Sequence, residues 1–209
     1  FSGLNEARTR CVLRVPQDYQ KLLSVRTTNG KISWNGMERL EGLSLDTSNA
    51  AIEVESCTLP QLKASTTNAR IELEDLSVEG TTTLSTTNGS LHLTQVKANR
   101  LEMKTTNSSI DLDSVSASGE LEAETKNGTI KGRALDVGNT LWLKTTNGAL
   151  TLEDSQAGVA TVETTNAAVR LERISCGKTF TATSKNGRVE FERMEAITAN
   201  FKTTNASIK

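Results

Sequence analysis

The sequence predicts an all-β chain: a single β-solenoid (β-helix) of about ten coils, with a 19/20-residue repeat and a stacked Asn ladder. Three observations predict it. The tripeptide Thr-Thr-Asn, or a near copy, recurs from end to end; apolar residues alternate with polar ones between its copies; and only 3% of the 209 residues are aromatic, too few for a broad globular core.

The repeat is anchored on Asn29, Asn49, Asn68, Asn88, Asn107, Asn127, Asn147, Asn166, Asn186 and Asn205, at intervals of 20, 19, 20, 19, 20, 20, 19, 20 and 19 residues. With each Asn as position 0, apolar pairs fall at positions +3 and +5, as in Ile52/Val54, Ile71/Leu73 and Leu150/Leu152. Position +8 is again apolar in most copies: Met37, Cys57, Leu76, Val96, Val115, Leu135, Ile174 and Met194. A second pair precedes the Asn at −6 and −4, as in Leu43/Leu45 and Leu141/Leu143. Alternation of period two is the strand signature. Each repeat therefore holds two short strands, or three, which cannot bury their apolar sides alone and do so by stacking. At about 4.8 Å per rung the stack is a rod of roughly 45–50 Å. The difference between 19 and 20 residues falls after position +8, which places an exposed turn there.

The Asn position is the corner. A hairpin turn of the Asn-Gly type needs glycine after every Asn, but only Gly30, Gly89, Gly128, Gly148 and Gly187 supply it; Ala50, Ala69, Ser108, Ala167 and Ala206 stand elsewhere. This excludes an antiparallel meander and predicts Asn in or near the left-handed region, which it tolerates. Stacked corners let each amide donate to the next in a ladder. The Thr two residues earlier faces the core side and is expected to form a second, hydroxyl ladder. Residues 1–22 are expected to be an N-terminal capping segment and first coil, and 23–209 the continuous solenoid, the whole being read as a fragment of a longer chain.

Stretches such as Leu84 to Leu93, Leu101 to Leu112 and Leu141 to Leu152, of the form Leu-x-x-x-Thr-Thr-Asn-Gly-x-Ile-x-Leu, resemble a bacterial family of repetitive β-solenoid domains labelled adhesins by analogy. The likeness covers nearly the whole chain, from about Leu23 to Ile208. It implies a β-solenoid associated with the bacterial cell envelope or surface, and it brings no catalytic residues.

Chemistry-bearing residues are sparse. With 24 basic and 25 acidic residues the net charge is −1, which favours neither nucleic acid nor an anionic membrane as partner; apolar runs are too short to span a bilayer. Cys11, Cys57 and Cys176 are odd in number and lack zinc spacing. Cys57 and Cys176 lie six coils apart, about 29 Å at rung spacing, beyond the reach of a disulfide. His92 is the one histidine, on an outward row, and reads as a solvated residue with which no Ser-His-Asp set assembles. Position +6 holds an acidic row of Glu55, Glu74, Asp113, Glu153, Glu172 and Glu192, broken by Arg133. Three successive carboxylates at Glu153, Glu172 and Glu192 call for compensation by Arg173 and Arg193. A calcium site lacks the glycine- and aspartate-rich nonapeptides it needs. A paired-carboxylate glycosidase lacks a cleft.

Position −3 reads Lys104, Glu124, Lys144, Glu163, an alternation suited to cross-strand ion pairs. Position −1 is mostly Thr (Thr28, Thr67, Thr87, Thr106, Thr146, Thr165, Thr204), but Lys126 and Lys185 interrupt it, against an ice-binding surface. Asn88, Asn107, Asn127 and Asn205 are formal N-glycosylation acceptors on ladder positions, which predicts a bacterial origin or folding outside the endoplasmic reticulum.

The expectation is a non-enzymatic structural or adhesion-like module, with no catalytic or metal site and no cofactor. Its partner would be a protein or cell-envelope polymer. The alternative is a scaffold that self-associates end to end, motivated by the chain stopping within a repeat; a carbohydrate-active enzyme comes third.

Overall fold

The computed structural model describes residues 12, 15–16, 19–36 and 40–209. Cys11, Met37 and most of the expected 1–22 segment lie outside the described residues. Among the described residues fourteen strands, from Leu22–Arg26 to Val189–Thr203, form one sheet, and each pairs in parallel with a strand of a neighbouring coil, the inner ones on both sides. This is the β-solenoid expected from the repeat.

Each coil has three straight runs, the larger of the two numbers expected. In the coil that starts at Asn107, the inward residues are Ile110 and Leu112, then Val115 and Ala117, then Leu121 and Ala123, all buried. A strict alternation cannot connect Leu112 to Val115, because they are an odd number of positions apart. The phase is reset at position +7, where the backbone turns left-handed: Gly36, Ser56, Asp75, Gln95, Ser114, Ala134, Asp154, Arg173 and Arg193 have φ between 48° and 59°. Among the described residues nine such corners make nine turns, and only the first of these uses glycine. The expectation that Asn occupies the left-handed region is therefore corrected. None of the ten Asn has positive φ, and the left-handed residue lies seven positions further on.

The third corner follows position +10 and absorbs the length difference. Register shifts fall between Val78 and Thr81, Ala98 and Arg100, Val137 and Thr140, Ala157 and Ala160, and Cys176 and Thr179. The residues there, such as Asn99, Gly138 and Asn139, face solvent, so an extra residue displaces nothing from the core. The exposed turn after position +8 is thus found slightly later, after +10.

The core is a column of inward residues running along the rod. Most are aliphatic, and Phe180 is the largest fully buried side chain. A column this narrow has no room for many rings, which accounts for the low aromatic content. Cys57 and Cys176 are buried free thiols within it; burial pushes the Cys57 thiol up to about 11.

Candidate functional site

Two outward surfaces carry organised polar groups: the Asn corner, and the face made by positions +2, +4 and +6.

At the corner, all ten Asn are joined. Each Nδ2 donates to the Oδ1 of the preceding coil, from Asn49 on Asn29 to Asn205 on Asn186, at 2.7–2.8 Å. The ladder runs along the outside, with every Asn solvent-exposed. The Thr two residues earlier is the buried partner. Its hydroxyl does not bond another hydroxyl, as the expected ladder would have it, but donates to the main-chain carbonyl that follows the Asn of the previous coil. Thr105 donates to Gly89, Thr145 to Gly128 and Thr164 to Gly148, each at 2.9 Å. Where glycine follows the Asn, its N–H turns inward and donates back to the same hydroxyl, as Gly89 does to Thr86 and Gly148 to Thr145. Glycine is required at those corners: a Cβ on Gly148 would stand 1.7 Å from the Gly128 carbonyl oxygen. Corners with alanine or serine dispense with that inward bond.

On the neighbouring run, position +6 forms one row in register: Glu55 beside Glu74, Asp113 beside Arg133, then Arg133, Glu153, Glu172 and Glu192 in order. Arg133 bonds Asp113 at 2.6 Å and holds its carboxyl below the usual range. Arg173 compensates Glu172 as expected, but also takes Asp154, whose carboxyl it lowers. Arg193 stands 3.7 Å from Glu192. Glu153 draws neither arginine. At position +4, Glu53 pairs with Lys31 and with Arg70 at 3.2 Å, and Lys31 first, then Arg70, lowers its carboxyl. The −3 row on the other side alternates as expected: Arg26 meets Asp46 at 3.2 Å and Lys104 meets Glu124 at 2.9 Å, with Lys144 next in register.

His92 is not solitary. Ser90 stands just before the strand Leu91–Lys104, which carries His92 two residues on, and the register sets Asp111 of the next coil beside His92. Ser90 Oγ lies 2.8 Å from His92 Nε2, and His92 Nδ1 lies 3.4 Å from Asp111 Oδ2. Ser109, the equivalent of Ser90 one coil on, donates to the same Asp111 oxygen at 3.0 Å. The expectation of a solitary, solvated His92 missed these neighbours, which aligning positions +2 and +4 of adjacent repeats would have found. His92 and Asp111 border a shallow depression of about 290 Å³, whose rim includes Lys131, Arg133 and Glu153 and whose floor passes over Gly132. Gly132 replaces the aliphatic residue usual at +5 and is covered from within by Leu135 and Leu152. Among the described residues, no helix is long and apolar enough to cross a membrane.

A family model described as Toastrack DUF4097 matches residues 3–208. No curated protein and no solved structure matches the chain.

Proposed function

The chain belongs to the Toastrack DUF4097 family, and we propose that it serves as a non-enzymatic structural module, a stiff rod that presents regular faces to a protein or cell-envelope polymer at the bacterial surface. The observation that carries this reading is the register of the +3 to +6 run. From Ile32–Asn35 to Val189–Thr203 each outward position of that run lies beside the same position of the next coil. A row of side chains at rung spacing matches a repetitive partner better than a single small ligand, and cross-strand ion pairs in the −3 row fix its register. The polar corners on Asn88, Asn107, Asn127 and Asn205 favour a compartment without N-glycosylation, since each acceptor nitrogen there already donates to its neighbour or ends the ladder.

Cosedimentation of the rod with isolated cell envelopes, with and without protease treatment, tests the proposal. Saturable binding by a monodisperse rod is expected. Filaments growing with concentration in negative stain would favour the end-to-end scaffold, and product release from a polysaccharide panel would favour an enzyme.

A further inference from the structure

We propose that Ser90 is an activated nucleophile that takes an acyl group from an ester, with His92 as its base and Asp111 as the group that orients the base. This goes beyond the partner-presenting role and does not depend on it. The geometry has the order of a nucleophile, base and orienter. The Ser90 hydroxyl is within hydrogen-bond distance of Nε2, and Nδ1 on the opposite side of the ring faces a carboxylate. A carboxylate at Nδ1 keeps the proton there, so Nε2 is left as the acceptor that Ser90 needs. Asp111 is itself held by Ser109; His92 sits on the strand Leu91–Lys104, and Ser90 stands at the end of the corner that leads into it, just before Leu91. His92 is the one histidine of the chain, so the arrangement occurs once along the rod.

In the reaction, His92 Nε2 accepts the Ser90 proton as Oγ attacks the ester carbonyl carbon. The new O–C bond forms, the carbonyl oxygen becomes an oxyanion, and collapse breaks the bond to the leaving oxygen, which takes the proton back from His92. The products are O-acyl-Ser90 and the alcohol. Lys131 and Arg133, which line the depression beside His92 and Asp111, supply positive charge on that side of the site. His92 and Asp111 are 40% and 33% exposed, so water screens the charges. An open site of this kind suits an ester with a good leaving group rather than an amide, which asks for a preorganised oxyanion hole. For the same reason the acyl group should persist, giving one acylation per chain rather than turnover.

The test uses the full chain and p-nitrophenyl acetate, following nitrophenolate release and locating the acetyl group by peptide mass spectrometry. The expected result is a burst of one equivalent with acetyl on Ser90. Ser90→Ala should remove the burst, and His92→Gln should slow it by about a hundredfold or more, the usual worth of a positioned base. Asp111→Asn should slow it too, with partial rescue in Asp111→Glu, which a purely structural carboxylate would not require. Melting temperatures of the variants should stay close to that of the parent, since all three residues face solvent. Equal release from Ser90→Ala, acetyl found only on lysines, or an unchanged rate in His92→Gln would each overturn the proposal.

Discussion

Thr145 and Asn147 stand two residues apart in one corner, and both are polar ladder residues, yet they do different work. Thr145 is 2% exposed. Its hydroxyl donates to the Gly128 carbonyl and accepts from the Gly148 N–H, so it satisfies two main-chain groups that face the core. Asn147 is exposed, and its two amide bonds, to Asn127 below and from Asn166 above, compete with water. A buried group left without a partner costs its full desolvation, about 1–3 kcal/mol; an exposed one finds water instead. The corner is therefore held mainly from inside, while the Asn ladder sets spacing and alignment on the surface. The same outside position makes the Asn row available to a partner, whereas the Thr row is spent on folding.

The largest effect should come from emptying the inner row. Replacing Thr86, Thr125 and Thr145 together by Val keeps shape and branching but orphans three carbonyls and three glycine N–H groups. Urea unfolding should show a loss of about 3 kcal/mol or more. A smaller change should follow at the left-handed corner. Ala134 has φ of 52°, so Ala134→Gly should raise stability by about 1 kcal/mol at no loss of contact with the core, and Ala134→Val should lower it. Because Asn is not left-handed, no such gain is expected at the ladder positions.

Charge gives a still smaller, pH-dependent effect. Glu53 is paired with Lys31 and Arg70, and its carboxyl is lowered in the folded state. A depressed folded pKa contributes stability that is present above the unfolded value of about 4.3 and lost as the pH falls through the folded value. Glu53→Gln should therefore be less stable than the parent at neutral pH, and the two should converge in acid; a difference that persists at low pH would mean packing rather than charge. At the bottom of the scale, reductant should leave the melting temperature unchanged, and Cys57 should react with alkylating agents only after denaturation, because it is buried and its thiolate is disfavoured.

Much of this architecture was legible in the sequence because the repeat is a direct record of stacking. Period, inward pairs, the Asn ladder and the alternation Lys104, Glu124, Lys144 all follow from side chains that recur at fixed offsets. What escaped was backbone behaviour that residue identity does not encode. The left-handed position is occupied by Ser, Asp, Gln, Ala and Arg, with glycine only at Gly36, so no turn residue marks it; its trace is the change of alternation phase between +5 and +8. Nor does residue type say which polar row of the corner is inside: the Thr faces the core, and the Asn two residues on faces solvent. The meeting of Ser90, His92 and Asp111 was hidden differently. The three are unremarkable in sequence and become neighbours only when position +4 of one coil is laid against position +4 of the next.

Thermal and urea unfolding of Thr145→Val beside Asn147→Ala, in the same buffer, tests the division of labour within the corner most directly. The valine variant should lose about 1–3 kcal/mol and the alanine variant about 1 kcal/mol or less. Equal losses, or a larger loss for Asn147→Ala, would contradict the account and return the ladder to the role of main structural lock.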